Sequence, residues 1–104
     1  MSAHAHAHTC HAIGCTAPCP PRMLMCAACW ALVQPETQAE VYAAHAARQA
    51  PSDRRWLAAA RDAMADVAEA RGDADRAKGC RSMAAHHRAA AGRGAMTARA
   101  RGGR

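Results

Sequence analysis

Four cysteines near the amino terminus, Cys10, Cys15, Cys26 and Cys29, are spaced C-x4-C-x10-C-x2-C. Thiolates are soft ligands, and two short cysteine pairs joined by a loop can bring four sulfurs to the corners of one tetrahedron. That is how a structural zinc ion is held. Four protein ligands leave no open position for water or substrate, so the spacing predicts one structural Zn2+ and a scaffold, with no catalytic residues. Gly14, directly before Cys15, suits the tight turn of a ligand-bearing knuckle. Four thiolates around a divalent cation carry a charge of about −2. Apart from histidines, Arg22 is the only basic residue in 1–34, and it is expected to offset part of that charge.

Other residues compete for roles at or near this site. Cys19 lies between Pro18 and Pro20 and is surplus to a four-ligand set, so it reads as a small apolar filler; Cys80 reads as a buried residue on a helix face. His11 follows Cys10 and is expected to point away, although replacement of one of the four ligands by His11 or Cys19 stays open. Disulfides are the alternative to metal, since six cysteines is an even count. Cys26-Ala27-Ala28-Cys29 also has the spacing of thiol–disulfide catalysts. In those the Trp precedes the first Cys and a βαβ pattern surrounds the motif, whereas here Trp30 follows the second Cys and no such pattern exists. His4, His6 and His8 alternate with Ala and could capture Ni, Cu or Zn ions, with Met23 and Met25 soft enough for Cu(I); a low-complexity leader or an added purification segment is the simpler explanation.

The elements that must position these residues follow from punctuation and periodicity. Residues 1–9 read as a disordered His-rich arm and 10–34 as the zinc-finger module, a knuckle followed by a helix that opens between Cys26 and Cys29. That helix carries Trp30, Leu32 and Val33 and stops before Pro35. Pro35 and Glu36 suit the first turn of a second helix ending near Gln49, with Val41, Tyr42 and His45 near one face. Ser52 is the expected N-cap of a third helix over about 53–71, in which Trp56, Leu57, Ala60, Met64, Val67 and Ala68 recur at helical spacing. Gly72 ends it. A fourth helix is expected over Asp73–Ala91, with Ala77, Cys80, Met83, Ala84 and His87 on one face and His86 in solvent. Residues 35–91 thus form the helical region, and 92–104 read as a disordered Arg/Gly tail.

Composition narrows the class. With no Phe, one Tyr and two Trp in 104 residues, the core must be built from Ala, Met, Leu and Val, and a metal cross-link compensates for its thinness. No signal-peptide pattern and no apolar run of membrane-spanning length is present, so a cytoplasmic, non-membrane protein with reduced thiols is expected. The net charge of +6 is concentrated at one end: Arg88, Arg93, Arg99, Arg101 and Arg104 fall in a stretch without an acid. That stretch could contact nucleic-acid phosphates, but it lacks the aromatic residues that stack bases, and a solvated basic tail fits it as well.

The runs Cys10-His11-Ala12-Ile13-Gly14-Cys15 and Pro20-Pro21-Arg22-Met23-Leu24-Met25-Cys26 resemble small bacterial and phage zinc-binding proteins of unknown function. In those, a CHAxGC knuckle leads to PPxMLMCxxHW. The resemblance covers about residues 10–70. It implies that Cys10, Cys15 and Cys26 are ligands and that Cys29 stands where the family usually carries His. A fainter similarity in spacing, to ubiquitin-binding fingers of the ubiquitin-editing type, is read as convergence on a knuckle-plus-helix finger.

The expectation is a mostly α, non-enzymatic protein: a treble-clef- or ribbon-like zinc finger followed by two or three Ala-rich helices. Trp30, Leu32, Val41, Trp56, Leu57, Met64 and Val67 are its expected core. It would act as a nucleic-acid-associated or protein-interaction module, of phage or prophage type by resemblance, with no small-molecule substrate. The alternatives are a pure protein adaptor and a metal-handling protein using the His-rich arm.

Overall fold

Proline, aspartate and glycine set the helix boundaries. A computed structural model describes residues 8–20 and 23–102, with side chains through residue 93. Within these the chain is mostly helical and has no β-strand, only one isolated antiparallel bridge between Thr9 and Pro18. The helices are α1 (Ala27–Trp30), α2 (Pro35–Ala47), α3 (Arg54–Ala70) and α4 (Ala74–Gly102). α1 is a single turn; Leu32 and Val33, expected inside it, lie in the turns that follow, bonded to the carbonyls of Cys29 and Trp30. Pro35 opens α2 with Glu36 in its first turn, as the sequence predicts, and α2 closes at Ala47, where Arg48 becomes extended.

The N-cap of α3 is Asp53, not Ser52. Its carboxylate accepts the N–H groups of Arg55 at 3.0 Å and Trp56 at 3.4 Å, and Ser52 lies one residue too early to reach them. Asp53→Ala is therefore expected to destabilise the fold by about 1 kcal/mol, and Ser52→Ala by a few tenths, read as shifts in urea midpoint. At the other end, Gly72 takes a φ of +82°, open to glycine without the steric cost of a side chain. Its N–H donates to the Glu69 carbonyl and that of Asp73 to the Ala68 carbonyl, the paired bonds of a Schellman stop. The chain then reverses into α4, whose helical backbone continues past Ala91 through Gly102. Residues 92–102 are rich in Ala and Arg, both strong helix formers, which outweighs their glycines. The His4 and His6 portion of the arm lies outside the described residues, as do Gly103 and Arg104.

α3 is buried on two sides. Ala59, Ala63 and Val67 belong to a core shared with Cys10, Ala12, Met25, Cys29, Val33, Val41 and Ala44. Ala65 and Ala68 face a second core with Ala77 and Cys80 of α4. The sequence pattern suggests one apolar stripe through Trp56, Leu57, Ala60, Met64, Val67 and Ala68, of which Ala60 and Ala68 are buried. In the structure Val67 is fully buried as expected, together with Ala58, Ala59, Ala63 and Ala65, whereas Trp56, Leu57 and Met64, like Trp30 and Leu32, are only half buried. Small side chains let helices approach on both sides of α3, whereas a large residue there would overpack. Val41, Cys80 and Ala84 are buried as expected, while Tyr42 and Met83 are exposed.

One buried carboxylate joins three elements. Asp66, on α3, accepts the Gln34 backbone N–H at 3.0 Å, just before α2, and a guanidinium N–H of Arg81, on α4, at 3.2 Å. Its side chain is 5% exposed. Asp66→Ala strands the Gln34 amide and removes one anchor of Arg81, and is expected to cost about 1–3 kcal/mol in chemical unfolding. A change within ±0.3 kcal/mol would show that solvent satisfies the amide.

Candidate metal centre

The amino-terminal knuckle is built by backbone hydrogen bonds. The Cys10 N–H donates to the Ala17 carbonyl at 2.9 Å and the Cys19 N–H to the His8 carbonyl at 2.8 Å, so residues 8–10 pair with 17–19. Between them Ala12 to Cys15 form a turn closed by the Cys15 N–H on the Ala12 carbonyl at 3.0 Å. Gly14 occupies the third position of that turn with a φ of +84°, which explains why glycine precedes Cys15. The His11 N–H donates to the Leu24 carbonyl at 3.0 Å, tying the knuckle to the segment that leads into α1. Cys26 then caps α1, and Cys29 lies within it.

These connections converge the four predicted cysteines. The sulfurs of Cys10, Cys15, Cys26 and Cys29 all lie within 4.8 Å of one another, with Cys15 Sγ and Cys26 Sγ 4.0 Å apart. All six cysteines are free in the structure. A tetrahedral ion with metal–sulfur bonds of about 2.3 Å needs sulfurs about 3.8 Å apart, so a small contraction would seat one. Cys10 and Cys29 are buried and Cys15 and Cys26 half buried. The donor set thus fits a metal that prefers thiolates, and its four sulfurs leave no neighbouring carboxylate or imidazole in the group.

The electrostatics divide the four. The Cys29 backbone amide beside the Cys26 sulfur, joined by the neighbouring thiols, pulls Cys26 down to about 7, so it ionises more readily than Cys29. Burial pushes Cys29 up to about 12, against the pull of Arg71. The Arg71 guanidinium, at the carboxyl end of α3, donates to Cys29 Sγ at 3.1 Å, and the Ala12 N–H points at Cys10 Sγ from 3.4 Å. Arg71 thus brings a positive charge to the sulfur group; Arg22, expected to do so, lies outside the described residues. Nothing in local spacing marks Arg71. It stands 42 positions from Cys29, and its approach depends on how α3 packs over α1. Arg71→Gln is expected to weaken metal retention about ten- to a hundredfold in a chelator competition, with the helical signal of the metal-saturated chain unchanged. Equal retention would make the contact incidental.

The remaining candidates fall outside the sulfur group. Cys19 is half buried and its thiol faces the Met23 carbonyl at 3.7 Å, consistent with a filler. His11 is exposed with its ring 4.9 Å from that of His8, and His8 Nε2 lies 3.3 Å from the Met23 carbonyl. Cys80 is buried against α3, His86 is exposed, and His87 Nδ1 meets Arg54 at 2.9 Å. Within the basic stretch, Arg88 is committed to an ion pair with Asp62 on α3. No helix among the described residues is long and apolar enough to cross a membrane.

Fold and site together define a small helical protein with a four-cysteine centre compatible with metal binding. Comparison of the chain with protein-family models, curated proteins and solved structures gives no match.

Proposed function

We propose that Cys10, Cys15, Cys26 and Cys29 hold one structural Zn2+ and that the chain is a non-enzymatic zinc-finger interaction module. The convergence of these four sulfurs carries the reading. Zinc suits it best: a d10 ion accepts four thiolates without a geometric penalty and undergoes no redox change. A closed ligand set gives the ion the role of a cross-link. Cys10 and Cys29 are themselves part of the core that contains Val41 and Val67, so metal binding and packing act on one unit.

Elemental analysis of purified protein, with far-UV circular dichroism before and after chelator, tests the claim. One equivalent of zinc, lost together with helical signal, is the expected result; a metal-free chain indifferent to chelator would overturn it. For the module's partner, a nucleic-acid role requires that deleting residues 92–104 weaken duplex binding and flatten its salt dependence. We favour a protein partner; Arg88, one of the five arginines of the basic stretch, pairs with Asp62 on α3.

A further inference from the structure

Two adjoining cavities of about 280 and 310 Å3 form one groove where the metal knuckle meets α2 and α3. They share Met23, Leu24, His45 and Trp56. One end is apolar, closed by Met25, Trp30, Val41 and Tyr42. The other end carries His8, His11, Arg48 and Arg61, and among the described residues no carboxylate lines either cavity. Among the acids of α2 and α3, Glu40 holds Arg55 at 2.8 Å and Asp62 pairs with Arg88, while Asp53, just before α3, accepts the N–H groups of Arg55 and Trp56. Three large apolar side chains are exposed among the described residues, and two of them, Met23 and Tyr42, stand at this groove. An apolar trough whose charged rim residues among those described, Arg48 and Arg61, are both cationic is complementary to a ligand that is apolar on one side and anionic on the other.

We propose that this groove takes an acidic amphipathic peptide segment of a protein partner. Its apolar side chains seat against Trp30, Val41 and Trp56, and its carboxylates meet Arg48 and Arg61. The proposal rests on the interaction-module reading and gives that module's partner its chemistry. Single-stranded nucleic acid fits less well, because the rings are already engaged. Arg48 lies over Trp56 at 5.2 Å from its centroid, and the pairs Trp30–Tyr42 and His45–Trp56 meet edge to face. Base stacking needs open ring faces, whereas an aliphatic side chain can fill the trough between the rings. Met23 adds an adaptable wall of the kind found in peptide-binding grooves.

Both tryptophans of the chain line the groove, so their emission reports its occupancy directly. The zinc-loaded full chain would be titrated with a Glu/Leu amphipathic helical peptide of about fifteen residues. Two further probes are its counterpart with Lys in place of every Glu, and oligothymidylate. Saturable binding of the acidic peptide, weakened by salt and absent for the Lys peptide, is expected. R48E combined with R61E should weaken it about tenfold or more. Met23→Ala and Tyr42→Ala, both at exposed positions, should weaken it severalfold without altering helicity. No binding of the acidic peptide, equal binding by the R48E/R61E chain, or displacement of the peptide by oligothymidylate would each overturn the proposal. Zinc content and circular dichroism on the same samples keep the two readings apart. A folded, zinc-loaded chain that ignores the peptide fails the groove alone, and a folded chain that takes up no zinc fails the metal reading while the same titration, run on that chain, still decides the groove.

Discussion

On the proposed zinc reading, Cys10→Ser is expected to cost the protein the ion and, with it, the folded amino-terminal half. Structural zinc contributes about 10–16 kcal/mol of apparent binding free energy at neutral pH, as much as or more than the net stability of a whole small domain. Serine keeps the shape of the side chain but is a poor ligand for zinc. The three sulfurs left behind would remain crowded with no cation to hold them. Cys10 also belongs to the core that joins the knuckle to α2 and α3, so the loss propagates into packing. The second core, between α3 and α4, contains no residue of the sulfur group. The expected readout is therefore a partial fall in helical signal, insensitive to added zinc, with the α3–α4 pair the last structure to melt. Cys19→Ser, at a half-buried position outside the sulfur group, should retain both zinc and fold. Full zinc content in the Cys10→Ser chain would remove Cys10 from the ligand set.

The second large effect is expected at Met25→Ala. Met25 is 1% exposed and fills the junction between knuckle, α2 and α3, so truncation removes its buried area and leaves a void. Such changes cost about 2–5 kcal/mol. Met23→Ala is the paired control: that side chain is 39% exposed, and its loss should change stability by less than about 0.5 kcal/mol. The measurement is the urea midpoint of each variant at saturating zinc, with an unchanged slope showing that the same two states are compared. Similar costs for both variants would mean that the Met23-Leu24-Met25 segment packs differently from the arrangement described.

The two methionines also show where sequence reading stops. They lie two residues apart in a non-helical segment, one facing solvent and the other the core, and their residue type is identical. Local signals carried far at the chain's punctuation. Pro35 at the start of α2, Gly72 at the end of α3 and Gly14 in the knuckle each act within a few residues, so their neighbours suffice to place them. Ser52 and Asp53 are both good caps in the abstract, and only the geometry of the first turn chose between them.

The spacing of Cys10, Cys15, Cys26 and Cys29 was also readable, because a tetrahedral cluster of thiolates imposes its own short-range pattern on the chain. Sequence alone therefore determined the helical class, the main helix stops and the four sulfurs worth bringing together. Tertiary structure decided which alanines of α3 are buried, that Asp66 joins Gln34 to Arg81, and that Arg71 faces Cys29. It also decided that Trp30 and Trp56 end up lining one groove with a basic rim. The physical reason is range. Caps, turns and ligand knuckles are settled by bonds between residues a few positions apart. Charge partners and packed faces depend on helix crossings between distant segments, and in an alanine-rich chain few large side chains mark those crossings in advance.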